Sequence, residues 1–232
     1  MKAANAKSRT CVSIIFVVGI ALFAVLNIMT PAAASRSGFV PPQLNAAGDI
    51  LFPWNSVAYG IVTLELQLDS NGAITGTNVL RDIPSLTSVA QTAVQSWTFS
   101  PATNNGQAVA APFIVHVIFN TGIVRADDLQ VSAPAPFVPI QGLDFAPPQL
   151  QSASYADYPV NSVGQGGVVL SVHVNSSGAP TKVRVIHAVP SLTETSVAAA
   201  KQTAFTAASY KNSASGADVA IAYVFRTPEN NQ

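Results

Sequence analysis

The sequence predicts an α+β chain of two tandem domains, each a small antiparallel sheet of about three strands with one main helix, after an N-terminal hydrophobic segment. Three observations predict it. Apolar residues alternate strictly along Ile61–Asp69. An apolar stripe at helical spacing follows the step Pro84-Ser85. The same order of signals then returns, at one fixed spacing, in the second half of the chain.

Along Ile61–Asp69, Val62, Leu64, Leu66 and Leu68 share one face, and Thr63, Glu65, Gln67 and Asp69 the other. That pattern predicts a strand buried on one side. Asp69-Ser70-Asn71-Gly72 follows, and Gly72 lets the chain reverse into a hairpin with a strand over Ala73–Arg81. Ser85 is the expected N-cap of a helix running to Ser96, whose stripe is Leu86, Val89, Ala90, Ala93, Val94 and Trp97. A polar Asn-Asn-Gly loop leads into a last strand, Phe113–Phe119.

The second half answers in the same order, with matched residues at one fixed offset. Phe39 through Leu44 matches Phe145 through Leu150, Asn55-Ser56-Val57 matches Asn161-Ser162-Val163, and Pro84 through Thr87 matches Pro190 through Thr193. There the expected strands are Val168–Val174, Ala179–Ala188 and Ala217–Arg226, with a helix over Ser191–Phe205. The domains are therefore set at 39–122 and 145–228, with a Pro/Ala linker over 123–144.

Residues 1–34 read as a signal peptide or a membrane anchor. Lys2, Lys7 and Arg9 precede the apolar run Val12–Met29, and Ala32-Ala33-Ala34-Ser35 offers a cleavage site. The run also reaches the roughly 18 residues of a membrane-spanning helix, and the basic residues before it orient the rest outward. Both readings send the folded part to the cell envelope, periplasmic or secreted, with membrane contact through this segment if it is uncleaved. Net charge is zero and only 9% of the 232 residues are charged, which leaves no basic footprint for nucleic acid. A single Cys excludes an internal disulfide.

No catalytic constellation is legible, so the chain reads as a non-enzyme without cofactor or metal. His116, His173 and His187 have no acid, Cys or His at ligand spacing and read as surface or sheet-edge residues. Glu65 and Asp69 read as acids on a solvated face. Trp97 and Phe99 read first as packing residues that seat the helix end on the sheet.

These residues resemble the C-terminal domain of the TonB family. The features that carry the resemblance are Pro53 after Phe52, Gly60, the alternation from Val62 to Leu68, Gly72, then Trp97, Phe99, Pro101 and Ala102, Gly106, and the closing strand to Phe119. The second copy keeps Tyr158, Pro159 and Gly166 but has Thr203 where Trp97 stood and Ala207 where Pro101 stood, so it is degenerate. The resemblance implies a short helix within Ile50–Val57 and a last strand that lies at a sheet edge. There Phe113, Ile114, Val115, His116, Val117, Ile118 and Phe119 would receive an extended peptide by strand addition, from an outer-membrane transporter or another envelope protein. An apolar edge invites such a partner, and Ile114 and Ile118 face away from the buried set. It also implies energy-coupled transport, although the spacer Thr30–Pro42 reaches only about 45 Å when extended, and Val12–Met29 contains no His. The alternative is a structural module in which repeats pair edge to edge and self-associate.

Overall fold

A computed structural model describes residues 38–120, 135–137 and 139–227. The basic start with its apolar run, most of the linker and the tail after Thr227 lie outside the described residues. Among the described residues, no helix is long and apolar enough to cross a membrane.

The first half begins with two short strands, β1 (Phe39–Val40) and β2 (Gln43–Ala46). The hairpin follows as β3 (Gly60–Leu68) and β4 (Ile74–Arg81), then helix α1 (Pro84–Val94). Three short strands, β5 (Thr98–Ser100), β6 (Ala102–Asn104) and β7 (Gln107–Val109), lead to β8 (Ala111–Asn120). The second half repeats this order as β9 (Phe145–Ala146), β10 (Leu150–Ser152), β11 (Gly166–Val174), β12 (Pro180–His187), α2 (Thr193–Gln202), β13 (Ala204–Phe205), β14 (Ala208–Tyr210), β15 (Ser213–Ser215) and β16 (Ala217–Phe225).

Two local expectations are corrected. Helix α1 starts on Pro84, whose missing amide suits the first helical position, so its N-cap is Ile83 and not Ser85. Thr87 does the capping from inside the helix, its hydroxyl accepting the Ile83 amide at 3.0 Å. Ile50–Val57 forms no helix. The Pro53 carbonyl accepts the Ser56 amide at 3.1 Å in a turn that feeds β3.

The hairpin turn explains its glycine. The Asp69 carboxylate accepts the amides of Asn71 and Ala73 at 2.7 and 2.9 Å, and these bonds hold its carboxyl below the usual carboxylate range. Gly72 then takes φ +82°, and a Cβ there would sit 2.3 Å from the Phe99 carbonyl oxygen. Gly178 repeats this against Phe205, at φ +85° and 2.3 Å.

The long strands form one six-stranded sheet in the order β12-β11-β16-β8-β3-β4. Every pairing is antiparallel except the central one, β16 beside β8. The two separate sheets expected from the sequence are thus continuous with each other. A parallel junction of like strands turns the two halves over relative to one another, so the helices cover opposite faces. Under α1 lie Val62, Leu64, Leu66 and Leu68 of β3 and Phe113, Val115, Val117 and Phe119 of β8. That core also takes in Val169, Ala220, Ala222 and Val224 from the second half. On the α2 face lie Val168, Leu170, Val172 and Val174 of β11 with Val219, Ile221, Tyr223 and Phe225 of β16, joined by Ile61, Leu80, Ile114 and Ile118 from the first half. Each core is completed by residues that the other half presents on its off-phase face. Burying a large aliphatic side chain such as Ile114 or Ile118 is worth about 1.5–3 kcal/mol, and neither is exposed at all.

Candidate functional site

The strand expected to receive a peptide is not at an edge. All of Phe113–Phe119 is buried, and β8 is paired with β3 on one side and β16 on the other. Ile114 and Ile118 do face away from the first core, as the alternation requires. The second half covers them, so their apolarity reflects an internal partner. From Val115 to Phe119 β8 has a paired neighbour on each side, so that stretch offers no open edge to an incoming strand.

Of the family-signature residues, Gly72, Phe99 and Pro101 meet at the hairpin turn. Trp97 and Phe99 are 4% and 6% exposed and pack into the first core. The Phe99 and Phe113 ring centroids lie 5.0 Å apart. Pro101 follows β5 directly, with its nitrogen 3.3 Å from the Cβ position of Gly72. Gly60 opens β3, and Gly106 turns β6 into β7 with φ +82°. The Phe99 backbone and Pro101 therefore rest on the turn that Gly72 makes, an arrangement that builds the fold.

Two polar residues read as solvated are interior. Glu65 is fully buried, with Gln67 donating to its carboxylate. His116 is 1% exposed on the α2 face. Arg81 donates to Thr63 Oγ1 at 3.4 Å, and the same hydroxyl shares a hydrogen bond with His116 Nδ1, 3.1 Å away. His116 Nε2 is buried without a hydrogen-bond partner. Burial, with the Arg81 charge second, pushes the His116 pKa down to about 3. A neutral, enclosed imidazole of this kind is a core residue.

The free edges are β4 and β12. On β4, the Leu80 carbonyl is already taken by the Ala135 amide at 2.7 Å. On β12, no main-chain bond from the outer side is made among the described residues. Beside β12 lies a polar hollow of about 220 Å³, lined by Gln43, Ser171, His173, Lys182, Arg184 and Asp218. A second hollow of about 140 Å³ continues it past Pro41, Pro42 and Gly216.

Strand register assembles this groove. His173 stands opposite Lys182 on one side and Asp218 on the other, and Ser171 stands opposite Arg184. Asp218 is the hub. His173 Nδ1 donates to its Oδ1 at 2.7 Å, and Ser171 Oγ donates to its Oδ2 at 3.2 Å, with Arg184 at 3.5 Å. The same Arg184 nitrogen reaches Ser171 Oγ at 3.0 Å and the Leu44 carbonyl at 3.3 Å. Because the Ser171 hydroxyl gives its proton to the carboxylate and not to the histidine, the trio lacks the nucleophile–base bond of a hydrolase. What it offers is recognition: fixed donors beside an open strand edge. Sequence reasoning missed it because His173 and Asp218 are 45 residues apart and meet only through pairing. The one available signal was that both fall on the polar phase of strands.

No curated protein and no solved structure matches the chain. Residues 57–121 do find a match, and they run from just before β3 through the end of β8, the segment where the hairpin, α1, Trp97, Phe99 and Pro101 lock together; the family whose model fits them is the Gram-negative bacterial TonB protein C-terminal.

Proposed function

We propose that the chain is a cell-envelope, TonB-like protein in which both halves are TonB C-terminal-like domains, and that it binds an extended peptide by strand addition at β12, in the service of transport at the outer membrane. The peptide would come from an outer-membrane transporter or another envelope protein. The family match over residues 57–121 supports the class of protein. The observation that carries the site is that β12 is paired on one side only while β8 is paired on both. Main-chain bonds along such an edge supply affinity, and alternate side chains supply register. A second reading, edge-to-edge self-assembly, is favoured by the presence of two free edges on one sheet.

The test is a titration of the full chain with peptides from transporter N-termini, followed by amide NMR shifts. Shifts along Pro180–His187 and not along Ala111–Asn120 are expected. Val183 and Arg184 are neighbours, so one of them turns its amide to the open side. Proline there should abolish binding while leaving the far-UV spectrum intact. Shifts confined to β8 would place the peptide elsewhere. Concentration-dependent oligomers without any peptide would favour the assembly reading.

A further inference from the structure

The groove beside β12 has a charge that the protein does not use. Asp218 is satisfied by three donors, from His173, Ser171 and Arg184. Arg184 commits one terminal nitrogen to the protein and leaves the rest of its fork toward the hollow. Lys182 lines the same hollow and makes no hydrogen bond or ion pair among the described residues. Two cations thus face one internal anion, and the excess positive charge sits on the edge strand itself.

The corresponding place in the first half is built from other residues. Register sets Glu65 opposite Asn78 where Ser171 meets Arg184. It sets Gln67 between Gly76 and Pro112 where His173 stands between Lys182 and Asp218. The cationic groove therefore belongs to one half alone, the half that lacks the counterparts of Trp97 and Pro101.

We infer that the Lys182–Arg184 groove is a binding site for a carboxylate, carried by an acidic side chain of an extended peptide laid along β12. A carboxylate entering the hollow meets the Lys182 ammonium and the free side of the Arg184 fork, a geometry suited to charge-assisted hydrogen bonds. Side chains at alternate positions of an added strand point to this face, so one acidic residue fixes the peptide's register. The hollow, at about 220 Å³, has room for such a side chain. The inference rests on strand addition at β12 for the peptide, but the carboxylate contact can be tested apart from it.

Two probes separate the two ideas. The full chain is first titrated with N-acetyl-glutamate N-methylamide and with its glutamine analogue, and amide and arginine side-chain NMR shifts are read. Shifts at Ser171, His173, Arg184 and Asp218 with the glutamate compound only, lost in Lys182→Gln and kept in Lys182→Arg, are expected. Equal shifts with both compounds, or none, overturn the carboxylate site. The same comparison is then made with two seven-residue peptides of alternating Thr and Val that differ by one central Glu or Gln. The Glu peptide should bind roughly tenfold more tightly, an advantage that Lys182→Gln removes. Equal binding of both peptides leaves strand addition standing and sinks the carboxylate site. Failure of both peptides beside a positive small-molecule titration does the reverse.

Discussion

His116 shows what a single buried residue does to the whole. Its pKa is near 3 in the folded protein against an ordinary 6.5. Below 6.5 the unfolded chain therefore takes up a proton that the folded chain refuses. The stability tied to neutral His116 is fully present above the ordinary value and drains away as pH falls through it, by up to about 1.4 kcal/mol per pH unit until the folded value is reached. Urea midpoints measured from pH 7 down to pH 4.5 should fall more steeply in the natural protein than in His116→Leu; parallel slopes would mean that the histidine is already wet. The alternation that identified β3 and β8 says which residues share a face, and that was read correctly. It does not say whether the other face meets water. Glu65 and His116 were assigned to a solvated side because their polarity suggested it, whereas the second half of the chain encloses that side. The hub at Asp218 was hidden for a related reason: pairing between distant strands, and not spacing along the chain, brings its partners in.

At the scale of elements, the long strands and α1 were legible because local patterns dictate them. The hairpin was marked by alternation and Gly72, and the helix by its apolar stripe. The short strands β1, β2, β5, β6 and β7 were not, since two to four residues carry no period. The pairing of β8 with β16 was legible only as an anomaly. Phe113–Phe119 is apolar on both phases, the signature of a strand covered on both faces, and Ala220–Phe225 is its counterpart. The apolarity of Phe113–Phe119 predicts an exposed edge, whereas the strand is paired on both sides. The two interpretations differ measurably. Ile118→Ala should cost about 2–4 kcal/mol in urea denaturation, the price of a cavity in a closed core. An edge residue open to solvent would change stability by less than about 0.5 kcal/mol.

At the scale of the molecule, the sheet and its crossed cores decide how the chain comes apart. Val169, Ala220, Ala222 and Val224 complete the core under α1, while Ile61, Leu80, Ile114 and Ile118 complete the core under α2. Neither half can open without exposing the other. Calorimetry of the full chain should therefore show one transition, with calorimetric and van't Hoff enthalpies equal; two resolved transitions would show that the halves are thermally independent. The described elements of the second half follow the same order as those of the first. The fusion of the two into a single sheet depends on which edges meet, and no local pattern records that.

The parallel junction of β8 with β16 also sets a timetable. A ribosome delivers β8 well before β16, the last described strand, and at typical rates of synthesis the interval is on the order of ten seconds. Throughout that interval Ile114 and Ile118 lack the cover of Val219, Ile221, Tyr223 and Phe225. The core that holds Ile114 and Ile118 therefore closes only once β16 has been made.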